Sequence, residues 1–379
     1  MSGQDKKYMK AALNLAAKGL GGVEPNPLVG CVIVKGNQII GQGWHKEFGG
    51  RHAEIIAIED CKNLGANPKE ATMYVTLEPC CHQGKTGPCT DAIIAAKVAK
   101  VFAAAIDPSA HAGGKGIEQL RNAGIKVELG LCEIEAKILN APFMKFAATG
   151  KTWVILKWAQ SIDGKMAWAD GAAEQRWISG EQSRKDVQKL RKRVQGILVG
   201  INTVLADDPL LTVRFDKNKK PIRIVLDNNL RIPTDCSLTA TAKDVPLLIA
   251  AWHEAVEANP QKAEELRQKG VEILACPDTY GGSNLHFIID ELSRRGIEQL
   301  LVEGGPTVIS SFLKEALTDE CIVYIAPKIL GVKGSADISQ PMAKLSEVVG
   351  LNHVDIQQFD QDVRLSGYIR KFQWHRGSL

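Results

Sequence analysis

The sequence predicts an α/β protein built from two units, and three observations carry that expectation. Helical apolar spacings alternate with short, β-rich apolar runs along the whole chain. The length, 379 residues, exceeds the roughly 100–200 residues usual for one domain and suits two. Both the pattern and the motif content change at Ala147-Ala148-Thr149-Gly150, which divides the chain into 1–148 and 149–379. A composition of 45% hydrophobic and 24% charged residues is ordinary for a globular protein and excludes disordered, collagen-like and coiled-coil classes.

Each element follows from local pattern. Over Asp5–Lys18 the residues Tyr8, Ala12, Leu13, Leu15 and Ala16 recur at helical spacing, and Gly19 with Gly21-Gly22 stops the helix. Pro25-Asn26-Pro27 forms a turn, and Val29–Lys35 with Ile39–Trp44 flank Gly36-Asn37 as a hairpin. Arg51–Cys61 and Thr90–Lys97 have helical spacing, while Thr72–Leu77 and Val101–Ile106 are strand-like. In the second unit, strands are expected at Trp153–Trp158, Gly196–Gly200, Ile222–Asp227, Val245–Ala250, Val271–Leu274, Gln299–Val302 and Cys321–Ile325. Helices are expected at Ser183–Arg193, Ala255–Lys269, Leu285–Arg295 and Val308–Ala316. No internal repeat or low-complexity tract appears.

Charge narrows the function. The balance of 47 basic and 43 acidic side chains is +4, too weak and dispersed to indicate nucleic acid, and 6% aromatics provide no stacking channel for a single strand. No run approaches the 18 apolar residues of a membrane span and the first residues lack the apolar core of a secretory signal, so a cytoplasmic protein without a membrane partner is expected. A small anionic substrate stays open, as does a homo-oligomer. Nine cysteines, an odd number, argue against a disulfide framework. Cys31, Cys61, Cys132, Cys276 and Cys321 stand singly and are expected to be small core hydrophobes, and Cys236 carries no signal.

The remaining cysteines carry chemistry. His52-Ala53-Glu54 opens one helix, and Pro79-Cys80-Cys81-His82-Gln83-Gly84-Lys85-Thr86-Gly87-Pro88-Cys89 follows a strand and runs into the next. Thiols at a loop and a helix N-terminus ionise easily, because free backbone N–H groups and the helix dipole favour the thiolate that zinc requires. One imidazole (His52) and two thiolates (Cys80, Cys89) leave a fourth tetrahedral position open, the mark of a catalytic zinc, one per chain. Cys81 and His82 are the rival ligands. Glu54, not itself a ligand, can take a proton from the attacking water and deliver it to a leaving amine. A lone His-Ala-Glu is ordinarily a solvated helix face and two cysteines nine apart a coincidence, but in this order they match the signature of zinc base and nucleoside deaminases.

With Pro25-Asn26-Pro27 ahead of it, this half resembles the pyrimidine deaminase domain of the bifunctional riboflavin biosynthesis family RibD. Leu156-Lys157, Ser161-Ile162-Asp163-Gly164-Lys165, Trp177-Ile178-Ser179, Thr203-Val204-Leu205-Ala206-Asp207-Asp208-Pro209 with Thr212 and Arg214, and Val302-Glu303-Gly304-Gly305-Pro306-Thr307 resemble its reductase domain. The resemblance spans residues 5–370. It implies a cytidine-deaminase-like domain and a dihydrofolate-reductase-like domain. The first would deaminate 2,5-diamino-6-(ribosylamino)-4(3H)-pyrimidinone 5′-phosphate, and the second would reduce the product's ribose to a ribityl chain with NADPH.

By position, the resemblance gives Asn26, His45, Lys85, Thr86 and Asp107 as deaminase substrate contacts, Glu54 as catalytic residue and His52, Cys80 and Cys89 as ligands. Lys85 beside Thr86 makes chemical sense as a phosphate clamp. In the reductase half it gives substrate contacts at Gln175, Arg191, Leu211, Arg214 and Glu303. Cofactor contacts fall at Ala159, Trp177, Thr203, Asp207, Asn228 and along Gly305, Pro306, Thr307, Val308, Ile309, Ser310 and Ser311. That segment follows a strand and opens a helix, so its amides can hold a phosphate. Lys157, a charge inside an apolar strand, is expected to face the site and align the ribose. The sequence departs from the family at Gln175 and Asn228, where serine is usual, at Gly87, where proline is, and along Asp107–Gly116. Taken as lone residues, Arg191 and Arg214 would be solvated charges. The alternative is a single-activity zinc nucleotide or base deaminase with a nucleotide-binding accessory domain; a pure binder has no use for the proton shuttle at Glu54.

Overall fold

The structure, a computed structural model, describes residues 2–82, 87–109, 112–168, 177–277, 284–331, 334–335 and 349–369. Its contacts divide it into residues 1–150 and 151–379. The expected linker is helical for three of its four residues, because Ala147, Ala148 and Thr149 complete the last turn of a helix. Gly150 (φ 67°) ends it in the left-handed conformation that glycine adopts without a Cβ clash.

The first unit starts with α1 (Gly3–Ala17), capped reciprocally: the Ser2 hydroxyl accepts the Asp5 N–H and the Asp5 carboxylate accepts the Ser2 N–H. There follow β1 (Gly30–Lys35), β2 (Gln38–Trp44), α2 (Ala53–Asn63), β3 (Thr72–Val75), α3 (Cys89–Ala95), β4 (Lys100–Ala103), α4 (Lys115–Asn122), β5 (Lys126–Leu129), α5 (Glu133–Leu139) and α6 (Ala141–Thr149). The sheet order is β2-β1-β3-β4-β5, antiparallel through the first three strands and parallel through the last three. Ile33, Met73, Val75 and Val101 pack with Ala53, Ala57 and Cys61 of α2 and Ile93 of α3 in one core. Gly43 lets α2 sit directly on β2, since a Cβ there would lie 2.5 Å from the Ala53 carbonyl oxygen. That close seat fixes the helix end carrying His52 and Glu54.

The second unit comprises β6 (Trp153–Ser161), β7 (Ala167–Trp168), α7 (Glu181–Arg193), β8 (Gly196–Gly200), α8 (Ile201–Asp207), β9 (Ile222–Leu226), α9 (Ser237–Ala240), β10 (Leu247–Trp252), α10 (His253–Ala258), α11 (Pro260–Gln268) and β11 (Val271–Cys276). It continues with α12 (Leu285–Arg294), β12 (Gln299–Val302), α13 (Pro306–Lys314), β13 (Glu320–Ala326), β14 (Gly334–Ser335), β15 (Asn352–Phe359) and β16 (Asp362–Tyr368). Nine strands form one sheet in the order β11-β10-β9-β8-β12-β6-β13-β16-β15, parallel up to β13 and antiparallel beyond. The parallel strands are apolar on both faces, as at Ile197–Val199 and Leu300–Val302, because helices cover both. Thr203 and Glu303 lie just past the carboxyl ends of β8 and β12, where parallel α/β sheets place their ligands, while Lys157 lies midway along β6.

Two expectations need correction, and one pair of strands was not expected. The helix expected over Ala255–Lys269 is two helices, broken at Asn259 (φ −126°, ψ 54°) because Pro260 offers no N–H to continue the ladder. Cys132 is a half-buried, left-handed N-cap residue (φ 57°), unlike the buried Cys31, Cys61, Cys276 and Cys321. The antiparallel pair β15–β16 is the unexpected one: Val354-Asp355-Ile356-Gln357 and Val363-Arg364-Leu365-Ser366 alternate, but β15 is exposed on both faces and neither strand has a continuous apolar run.

Candidate active sites

In the first unit His52 is the N-cap of α2, Cys80 follows β3 and Cys89 is the first residue of α3. These elements bring one ligand atom from each residue within 4.8 Å of the others. His52 Nδ1 lies 3.1 Å from Cys89 Sγ and 3.4 Å from Cys80 Sγ, and the Cys89 N–H points at Cys80 Sγ (3.4 Å). Among the described residues this is the converging donor set, and Cys81 and His82 are outside it. The Cys89 thiol and then His52, both hydrogen-bonded to Cys80, pull its pKa down to about 4, while Cys89 keeps its proton. One imidazole and two sulfurs, one of them readily ionised, are the donors zinc prefers, so the site fits that ion. Glu54, 3% exposed beside them, is pushed up to about 7 by burial and secondarily by the Cys80 charge.

Asn26 and His45 stand together: Asn26 Nδ2 is 3.1 Å from His45 Nε2, and His45 Nδ1 is 3.0 Å from the Arg51 carbonyl oxygen. Burial lowers the His45 pKa, and a neutral ring donating from Nδ1 and accepting at Nε2 satisfies both contacts. Its ring meets that of His52 edge-on at 5.6 Å, which puts the pair beside the donor set. Asp107 accepts the Ser109 N–H (2.9 Å) and hydroxyl (2.6 Å). Lys85 and Thr86 lie outside the described residues.

One residue in this unit escaped the sequence reading. Glu78, 5% exposed, accepts the N–H groups of Asp107 (3.2 Å), Gly114 (3.0 Å) and Gly116 (2.9 Å). It therefore ties the Asp107 loop and the start of α4 to the strand end carrying Cys80. Its signal was present, as a carboxylate two residues before a ligand, but its partners lie 29–38 residues away and no local pattern names them.

In the second unit a cavity of about 430 Å³ is lined by the expected substrate contacts Arg191, Leu211, Arg214 and Glu303, and by Lys157. Ala159, Trp177, Thr203, Asp207, Gly305 and Pro306, expected at the cofactor, line it as well. A cavity of about 440 Å³ shares Thr203, Gly305 and Pro306 with the first and takes in Asn228, Thr307, Val308 and Ser311. Ile309 and Ser310 line neither, because the helical turn of α13 sends Ile309 into the core. Gln175 lies outside the described residues.

Arg191 is no solvated charge. It grips Glu303 bidentately (Nε–Oε1 2.7 Å, Nη2–Oε2 3.1 Å) and donates to the Thr212 carbonyl oxygen (3.2 Å), with Lys157 Nζ 4.0 Å from Glu303. Burial pushes the Glu303 pKa up, but Arg191 and Lys157 outweigh it and the net direction is down. Burial lowers Lys157. The other arginine, Arg214, is exposed at the cavity wall, its backbone N–H held by Gln188 (2.9 Å).

Known proteins resemble both units. Residues 2–105 match the family model of the cytidine and deoxycytidylate deaminase zinc-binding region, and residues 152–365 match the RibD C-terminal domain. The riboflavin biosynthesis protein RibD of Aquifex aeolicus is 45% identical over 328 residues, covering 86% of this chain and 88% of that one. The Escherichia coli RibD is 39% identical over 376 residues, covering 96% and 98%. The solved structure of Acinetobacter baumannii RibD superposes with a TM-score of 0.81 at 37% identity, covering 97% of this chain and 99% of that one. A Thermotoga maritima diaminohydroxyphosphoribosylaminopyrimidine deaminase/5-amino-6-(5-phosphoribosylamino)uracil reductase gives 0.80 at 34% identity, with the same coverage.

Proposed function

The chain belongs to the RibD family of bifunctional riboflavin biosynthesis enzymes, and from that premise we propose how its own residues carry the two reactions. Its activities are the zinc-dependent deamination of the diaminopyrimidinone ribosyl phosphate and the NADPH-dependent reduction of the resulting aminouracil, in residues 1–148 and 149–379 respectively. The water-soluble substrate and cofactor suit a cytoplasmic enzyme.

The observation that carries the first assignment is the convergence of His52, Cys80 and Cys89 beside the buried carboxyl of Glu54. Zinc bound by this set supplies the Lewis acid that makes water nucleophilic at neutral pH. Glu54, buried from bulk solvent, accepts the proton of the attacking water and passes it to the departing amine. Asn26, its amide oriented by neutral His45, holds the pyrimidine edge, and Asp107 meets the substrate from the loop that Glu78 anchors. Lys85 and Thr86 take the phosphate.

In the second pocket NADPH supplies the hydride, so the protein's task is alignment and one proton. Gly305, Pro306 and Thr307 at the start of α13 line the cavity, and the backbone N–H groups of Gly305 and Thr307 suit a cofactor phosphate. Glu303, held ionised by Arg191 and Lys157, has no proton to give. Lys157, buried and lowered, does, and we assign it the protonation of the opened-sugar carbonyl oxygen. Arg214 at the wall takes the substrate phosphate.

The test is incubation with the diaminopyrimidinone nucleotide with and without NADPH, following product masses. Deaminated product alone is expected without NADPH and the ribityl product with it. The Glu54→Gln variant should lose about 10³-fold in deamination while oxidising NADPH normally on pre-deaminated substrate. Equal loss of both activities would defeat the assignment.

A further inference from the structure

Arg223 is wholly buried on β9, and none of the ion pairs among the described residues includes it. A cation inside a protein is strongly destabilising unless neutral groups solvate it fully, which takes many converging acceptors. Here they do. Nη1 donates to the Leu210 carbonyl oxygen (3.3 Å) and Thr241 Oγ1 (2.8 Å), Nη2 to the carbonyl oxygens of Leu238 (3.3 Å), Thr241 (3.2 Å) and Val245 (2.5 Å), and Nε to Pro246 O (3.5 Å). Burial lowers its pKa only to about 10, so the cation persists at neutral pH. Five acceptors come from the segment 238–246 that connects β9 to β10 and one from the loop after α8.

That loop forms part of the reductase cavity wall. Pro209, Leu211 and Arg214 line the cavity. Two of the loop's residues are non-glycines in left-handed conformations, Asp208 (φ 40°) and Leu211 (φ 52°). Each is strained and persists only where surroundings over-determine it. Asp208 supplies one restraint, its carboxylate accepting the N–H (2.8 Å) and hydroxyl (2.7 Å) of Ser237. Arg223 supplies the next at Leu210, and Ser237 and Leu238 are adjacent, so both restraints tie the loop to one anchor at α9.

We propose that Arg223, with Asp208, is a positioning residue of the reductase: a buried cation that pins the 208–211 loop so that Leu211 and Arg214 present themselves to the phosphorylated pyrimidine substrate. The inference rests on the assignment of Leu211 and Arg214 as substrate contacts made above. Since Arg223 touches neither the cavity nor the elements at α13, its effect falls on substrate and spares cofactor.

The experiment uses the full chain and three variants. Arg223→Met, which keeps reach and removes the donors, should raise the reductase KM for the aminouracil nucleotide about tenfold or more with kcat changed less than about threefold. The NADPH dissociation constant, read from nucleotide fluorescence, and the deamination rate should stay unchanged. A parallel rise of the NADPH constant, or no change in KM in a folded protein, overturns the proposal. Should Arg223→Met not fold, Asp208→Ala releases the same loop from the surface and decides: the KM-only signature supports the clamp and its absence rejects it. Arg214→Ala separates the two layers. If it leaves KM unaltered, the substrate assignment falls and the clamp with it; if it raises KM while Arg223→Met and Asp208→Ala do not, only the clamp falls.

Discussion

At the scale of single residues, the second pocket shows how one sequence position acquires a role from its neighbours. Lys157 interrupts the apolar run of β6, and a charge there is costly in isolation. In place, its ammonium sits 4.0 Å from Glu303, which Arg191 already neutralises, so burial wins and the lysine's pKa falls from 10.5. The protonated form is the active one in our assignment, so activity is present below the folded pKa and lost as pH rises through it. Reductase kcat should therefore fall on an alkaline limb centred below 10.5. Lys157→Arg, whose guanidinium does not titrate there, should remove the limb and lower kcat by on the order of 10²-fold. A limb unchanged in the arginine variant would assign it to another group. Legibility at this scale was uneven: His52, Glu54, Cys80 and Cys89 are close in sequence to the elements that aim them, whereas Glu78 and Arg223 act through partners far along the chain or through backbone carbonyls, which have no sequence identity.

At the scale of elements, the strands with continuous apolar runs, such as Gly196–Gly200 and Gln299–Val302, were legible to the residue because burial on both faces leaves no other pattern. Helices α4 and α5 were not expected, since their charged residues mask a few apolar anchors such as Ile117, Leu120 and Ala136. Loops were least legible, because their order comes from side chains crossing to backbone. Asp163 is an example: its carboxylate accepts the Ser161 hydroxyl (2.5 Å) and the N–H groups of Leu330 (3.1 Å) and Gly331 (2.8 Å), while Lys328 Nζ binds the Ile178 carbonyl oxygen (2.7 Å) next to Trp177. These hydrogen bonds, the Ser161 hydroxyl first, hold Asp163 down at about 2 from an ordinary 3.8. A depressed carboxylate stabilises the fold above its unfolded value and stops doing so as pH falls through the folded one. Wild type should therefore exceed Asp163→Asn in thermal midpoint at pH 7, and the gap should close as the pH falls from 3.8 to about 2. A gap independent of pH would show that Asp163 titrates alike in the folded and unfolded chain, so that these hydrogen bonds do not hold it down.

At the scale of the molecule, the two activities lie in units whose core clusters do not mix: one cluster gathers residues between Val29 and Leu129, the other residues from Val154 onward. Each unit also has its own chemistry, an imidazole, two cysteine sulfurs and a carboxyl in one, a buried cation pair around Glu303 in the other. Zinc should then be needed for one activity alone. Metal analysis of the purified chain should give one zinc per chain, and prolonged dialysis against a chelator should abolish deamination while leaving NADPH oxidation on pre-deaminated substrate within about twofold. Zinc returned to the dialysed protein should restore deamination, because His52 and Cys89 are placed by the starts of α2 and α3. In a thermal scan the chelator should lower the transition of the first unit and leave that of the second where it was. Loss of both activities on chelation would mean that the reductase also needs a metal, for which its pocket offers no thiol or imidazole among the described lining residues.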